Sequence, residues 1–281
     1  MTVVDAHQHF WDPARVSYPW LASAYPELDR PFGFDDLAPC LHASDVDATV
    51  LVQSEDDEAD NELMMDIASR HAEIAGIVAW APLDDPSALE ATIALLRASG
   101  KLVGVRVLIH NRPDPDWLVR QDVQEGLAVL EKQGLTFDVV AVLARHLEHV
   151  PVIAERYPSL RLVIDHLAKP PIGRDLTTWS ELLTQAATCP NVFAKVSGLY
   201  PVQGDRHPWS VDDLRPAFAI ALEIFGVDRL MFGSDWPICE VAGGYQRVMR
   251  ALLELASDLT DDEQSALRGN TAIHCYGLRL T

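Results

Sequence analysis

The chain has 281 residues, 48% hydrophobic and 23% charged, an ordinary globular composition long enough to bury a core without disulfide help. Its 22 Lys+Arg against 42 Asp+Glu give a formal charge of -20, a field that repels phosphate backbones and anionic membranes. Nucleic acid and lipid surfaces are therefore disfavoured as partners, and a small molecule, neutral or held by local Arg and Lys, is expected instead.

The first strand-like run, Val3–Ala6, leads into Asp5-Ala6-His7-Gln8-His9-Phe10-Trp11. Residues two apart in a strand share a face, so His7 and His9 project together about 7 Å apart along the chain. That spacing suits ligation of one ion. Alone, however, the pair reads more readily as solvent-facing or packed imidazoles beside Phe10 and Trp11.

Next come strand-like Ala48–Gln53, helical Ala59–His71, strand-like Gly76–Ala81 and helical Pro86–Leu96. Gln53 and Trp80 stand at the ends of the two strands. The fourth run, Leu102–Ile109, carries Arg106, and after helical Gln121–Gln133 the fifth, Leu135–Val139, carries Asp138. These two either pair with each other or touch a substrate. Helical Leu143–Tyr157 then precedes the sixth run, Leu160–Asp165, which ends at His166. His166 is a third nitrogen ligand, a donor to a substrate carbonyl, or the cap of the following turn.

Helical Ser180–Thr188 is followed by the seventh run, Asn191–Val196, where Lys195 would be costly to bury unpaired. It calls for a pocket role or a carboxylate partner. Helical Val211–Phe225 leads to the eighth run, Arg229–Gly233, and on into Ser234-Asp235-Trp236-Pro237. Two closing helices are expected, about Gly244–Leu255 and Asp261–Thr271, the second with Asp261, Asp262 and Glu263 in its first turn.

Eight continuous apolar runs alternating with helical segments predict parallel strands covered on both faces. An α/β fold of the (β/α)8 TIM-barrel type fits best, with a doubly wound open sheet as the alternative. No linker interrupts the pattern, so residues 1–281 are expected to form one domain. In a closed barrel the eighth strand pairs with the first. Asp235 then lies beside His7 and His9, a facial ligand set with open positions for water.

Cys40, Cys189, Cys239 and Cys275 form no metal or disulfide spacing and read as free thiols in a reducing compartment. The start of the chain has no basic, then apolar, leader, and no run reaches the roughly 20 residues of a membrane span. A cytoplasmic protein is expected, and a homo-oligomer is compatible with the sequence.

Asp5-Ala6-His7-Gln8-His9-Phe10-Trp11, Val52-Gln53, Ile164-Asp165-His166 and Phe232-Gly233-Ser234-Asp235-Trp236-Pro237 together resemble the lactonase branch of the amidohydrolase superfamily. The segments fall in the family order from Val4 to Pro237. The resemblance implies a metal-assisted hydrolase of a sugar lactone. His7 and His9 match its first-strand ligand pair, and Asp235 matches its eighth-strand aspartate, which deprotonates the attacking water. His166 matches the sixth-strand histidine near metal or substrate.

One divalent ion, zinc first, is implied, although the branch includes members that work without metal. Strands four and five lack the bridging lysine of binuclear relatives, so a two-metal site is not expected. Gln53, Trp80, Arg106, Lys195, Trp11 and Trp236 are the pocket candidates for substrate. Polycarboxylate lactones would need more cations, with Arg112 and Arg206 available in loops. Two other classes stay open: an aromatic-acid decarboxylase of the same superfamily, and a small-molecule-binding barrel without turnover.

Overall fold

A computed structural model describes residues 1–200 and 208–280, so Arg206 lies outside the described residues. The β-branched runs of the sequence form eight strands: β1 Val4–Gln8, β2 Ala48–Val52, β3 Ile74–Ala79, β4 Leu102–Val107, β5 Thr136–Val139, β6 Leu162–Ile164, β7 Val192–Val196 and β8 Leu230–Phe232. Each lies parallel to the next in the order β1 to β8. Their residues are almost all buried, as in a sheet packed on both faces.

Around the sheet run α1 Pro19–Ala24, α2 Phe34–Ala43, α3 Glu58–Ala68, α4 Pro86–Leu96, α5 Gln121–Gln133, α6 Ala144–Arg156, α7 Thr177–Ala187, α8 Val211–Phe225, α9 Tyr245–Leu255, α10 Asp261–Ser265 and α11 Thr271–Tyr276. Local chemistry sets their ends. The Asp85 carboxylate accepts from Ala88 N ahead of Pro86, which opens α4. Gly134, at φ 69°, stops α5 in the left-handed conformation that glycine adopts without steric cost. Thr260 and Glu263 cap each other's backbone at α10.

The barrel closes just beyond β8. Asp235 N donates to His7 O at 2.8 Å and His9 N to Trp236 O at 2.7 Å, with Gln8 bridged to Trp236. A side chain at Gly233 would place its Cβ 2.6 Å from His7 Cβ, so this seam needs glycine. The eight strands and their helices form a (β/α)8 TIM barrel in a single domain.

The strand ends differ from expectation where turns compete. Leu160 N bonds back to Tyr157 O, and Asp165 begins a turn, so the sixth strand keeps three residues. The expected helix Asp261–Thr271 divides into α10, a π-helical turn at Ala266–Asn270, and α11. There Gly269 lies so near the first strand's approach that a Cβ would sit 2.0 Å from Thr2 O. Helices α1 and α2 were not expected; α2 carries Pro39 internally, which reads as a breaker in sequence. Among the described residues, no helix is long and apolar enough to cross a membrane.

Candidate active site

The seam that closes the barrel also gathers the first set of polar side chains. His7 Nε2 and His9 Nε2 stand 3.1 Å apart, and Asp235 Oδ1 lies 3.7 Å from the first and 3.5 Å from the second. All three residues are buried. A tetrahedral zinc with bonds of about 2.0–2.1 Å separates its ligand atoms by about 3.3–3.4 Å. The observed triangle matches those edges, so this donor set fits a divalent ion.

The proton positions inferred from neighbours agree. His9 Nδ1 sits 2.8 Å from the Val52 carbonyl, which only accepts, leaving the His9 Nε2 lone pair facing the triangle. His7 Nδ1 has two neighbours with opposite demands: Lys195 Nζ at 3.0 Å and Asp165 Oδ1 at 3.3 Å. Lys195 is already met by Asp138 Oδ2 at 2.6 Å and Asp165 Oδ1 at 3.0 Å. A proton on His7 Nδ1 directed to Asp165 then frees Nε2 for the ion, the usual carboxylate–histidine arrangement. Burial, reinforced by the Lys195 charge, holds the His7 imidazole well below its usual pKa, so it is neutral, as a ligand must be.

Beneath the triangle lies a compensated charge cluster. Burial opposes the charge on Lys195, yet Asp138 and Asp165 outweigh it and keep the ammonium protonated. Burial likewise opposes ionisation of Asp165, but Lys195, His7 and Arg106 hold it well below the usual carboxylate range. Arg106 Nη1 reaches Asp165 Oδ2 at 2.9 Å, its Nη2 contacts the Gln53 carbonyl, and Tyr276 donates to Asp138 Oδ2 at 2.8 Å. Two cations thus face two carboxyl groups, and burial pushes the Asp138 carboxyl up against the pull of Lys195.

Asp5 fastens the Asp235 loop from the other side. Its carboxylate accepts from Ser234 N at 2.9 Å and Tyr245 Oη at 3.0 Å, while Tyr200 Oη donates to Ser234 O at 2.7 Å. Asp235 itself takes a positive φ of 57°. Burial alone would raise its pKa, but His166, His9 and Lys169 outweigh that and bring it to about 2. These neighbours favour the ionised form of Asp235.

His166 opens an unusual turn. His166, Leu167, Ala168 and Lys169 have φ of 54°, 50°, 57° and 54°, a left-handed run of four non-glycine residues. Each such residue costs roughly 1 kcal/mol or more, so packing must hold the turn. Leu167 and Ala168 are buried, Trp179 Nε1 donates to Leu167 O at 2.7 Å, and Lys169 N to His166 O at 2.9 Å. His166 Nδ1 meets Ser197 Oγ at 2.8 Å, and its ring centroid lies 4.6 Å from that of His7. His166 joins a second possible ligand group with His7 and Asp165. Burial, with Lys169 nearby, keeps its imidazole neutral.

Above these groups opens a cavity of about 820 Å³ whose lining includes Trp20, Tyr25, Arg106, His110, Lys169 and Arg174 together with His9, His166 and Asp235. Of the sequence candidates, His7, His9, His166 and Asp235 converge, with Arg106 on the cavity wall. Lys195 lies below, on its carboxylates, and does not line the cavity. Arg106 and Asp138 do not pair with each other as one alternative had it; Arg106 takes Asp165 and Asp138 takes Lys195.

Gln53 is buried, its amide donating to Asp56 Oδ1 at 3.2 Å, and the Trp80 backbone is clamped by Asn61. Trp11 and Trp236, expected in the pocket, are core residues. Trp11 Nε1 bonds to the Leu28 and Arg30 carbonyls, and Trp236 packs edge-on against Phe10 and Phe32. The aromatic side chains on the cavity are instead Trp20, Tyr25 and Tyr200, with Trp20 backed by Trp11 at 5.4 Å between centroids. Trp20, Lys169 and Asp5 were missed because each earns its place from a loop or a long-range partner. The one usable signal was Lys169 only three residues after His166.

A model of the amidohydrolase family matches residues 4–278. The chain is 36% identical to an L-fucono-1,5-lactonase of Burkholderia ambifaria over 97% of this chain and 94% of that one. It is 35% identical to an L-fucono-1,5-lactonase of Burkholderia multivorans, over 98% and 96% of the two chains. A crystal structure of an amidohydrolase from Burkholderia multivorans with bound zinc superimposes with a TM-score of 0.91 at 33% identity, covering 99% of this chain and 100% of that one. This barrel, with its histidine pair and aspartate at the closing seam, belongs to the amidohydrolase family and is a hydrolase.

Proposed function

We propose that the chain opens the lactone ring of a small sugar acid by attack of a water molecule that Asp235 deprotonates. The observation that carries this reading is the position of the Asp235 carboxylate, which lines the cavity 3.5 Å from His9 Nε2 and 3.7 Å from His7 Nε2. The lactonase names of two full-length relatives support the substrate class. A neutral lactone also suits a chain of charge -20 better than a polycarboxylate.

His7, His9 and Asp235 would hold one divalent ion, zinc by analogy with the similar structure, with His166 adjacent. When bound, the ion supplies Lewis-acid polarisation and a more acidic water. The chain's own residues do the rest. Trp20 offers an aromatic face to the apolar side of a sugar ring, and the polar wall meets its hydroxyls.

As the water oxygen bonds to the lactone carbonyl carbon, Asp235 accepts its proton. Collapse of the tetrahedral centre breaks the ring carbon–oxygen bond, and Asp235 returns the proton to the departing alkoxide. The product acid ionises, releasing one proton per turnover.

A panel of aldonolactones with a pH indicator tests this, comparing wild type with Asp235→Asn. Loss of the base should cost about 100- to 10,000-fold. Full activity in Asp235→Asn would overturn the assignment. Release of carbon dioxide from an aromatic acid, with no acid release from any lactone, would move the chain to the decarboxylase class.

A further inference from the structure

Resting on the lactonase reading, we propose that Lys169 binds the lactone carbonyl oxygen and takes up the negative charge that gathers there as the ring opens. The left-handed turn from His166 to Lys169 is the first support. Three residues apart in a single turn, the two side chains fall on the same side, and both line the cavity with Asp235.

The second support is the state of its charge. Arg106 and Lys195 are tied to Asp165 and Asp138, whereas the Lys169 ammonium makes no salt bridge or hydrogen bond among the described residues. It is exposed to the cavity and within electrostatic range of Asp235, Asp165, His166 and Arg106. An uncommitted cation beside the base is placed to meet an anion that the reaction creates.

The chemistry identifies that anion. The carbonyl oxygen is neutral in the lactone, carries about a full charge at the tetrahedral centre, and shares one in the carboxylate product. A cation at this oxygen favours the transition state and the product over the substrate. Lys169 thus acts on kcat and on product affinity, with little effect on KM.

The experiment uses Lys169→Met and Lys169→Arg in the full chain. L-fuconolactone turnover gives kcat and KM, and calorimetry with L-fuconate gives acid affinity independently of turnover. For Lys169→Met, kcat should fall about 100- to 1,000-fold, the loss typical of one missing oxyanion partner, with KM within about threefold. L-fuconate should bind at least about tenfold more weakly, and Lys169→Arg should recover part of both losses.

Lys169→Met with kcat and L-fuconate affinity within about threefold of wild type would overturn the proposal while leaving the lactonase reading intact. Wild type that releases no acid from any lactone would overturn the lactonase reading and this proposal with it. Should Lys169→Met fail to fold, Lys169→Gln takes its place, judged by the same two readouts.

Discussion

Gly198 follows Ser197, the partner of His166, and has φ 54°. A Cβ built there meets His166 Nδ1 at 2.7 Å and Asp235 Oδ2 at 2.9 Å. Gly198→Ala is therefore a wedge between His166 and Asp235, the base of the proposed mechanism. Ordinary contact with a methyl carbon needs about 3.5 Å, so one or both must retreat by about 0.6–0.8 Å. Misplacement on the order of 1 Å can cost about 100-fold in rate.

The left-handed φ adds roughly 1 kcal/mol of strain for alanine, and the clash adds a comparable amount. That total corresponds to a Tm lower by about 3–4 °C in a chain of this size. The assay is aldonolactone hydrolysis at saturating and limiting substrate, with thermal unfolding on the same samples. We expect a folded enzyme with kcat/KM down by about 10- to 100-fold. Activity within about threefold of wild type would mean that His166 and Asp235 do not act where this geometry puts them.

Lys195→Met would leave Asp138 without its cation and Asp165 with Arg106 alone in a dry interior, and breaking a buried pair costs about 3–5 kcal/mol. Calorimetry should show a Tm lower by about 5–9 °C. Adding Asp138→Asn should recover part of it, and an unchanged melting curve would refute the cluster's role. His110, facing the cavity, is lowered to about 4 by burial and by the nearby Arg106 and Lys169.

Its folded-state pKa thus lies below the unfolded value of about 6.5, so the unfolded chain binds the extra proton between those limits. Stability should fall as pH drops from about 6.5 toward 4. Discounted for solvent reaching the ring, the contribution of His110 is about 1 kcal/mol. Denaturant midpoints across that window should slope less in His110→Asn; an unchanged slope would refute the assignment.

The alternation of strands and helices was legible because buried parallel strands must be apolar on both faces, and runs such as Ala48–Val52 carry that pattern locally. His7, His9 and Asp235 were legible together only through the barrel hypothesis, since they lie more than two hundred residues apart and closure alone joins them. Trp11 and Trp236 misled because their neighbours in sequence are site residues. Their rings turn instead toward Phe10, Trp20 and Phe32, contacts that no local spacing encodes. Lys169 needed the left-handed turn, which four ordinary residues do not announce. The Arg106–Asp165 and Lys195–Asp138 pairing depends on which neighbours share the barrel's interior, a matter of register.

The hydrogen bonds from Asp235 N to His7 O and from His9 N to Trp236 O carry the barrel's closure and the site's assembly at once. During synthesis the two histidines leave the ribosome before the aspartate, which follows only after seven further strands. Until it docks, their imidazoles face an open edge. On the proposed mechanism, turnover thus requires completed folding. A nicked or truncated barrel missing its final strand would keep most of its secondary structure and yet be silent, and supplying that strand in trans should restore turnover and closure together.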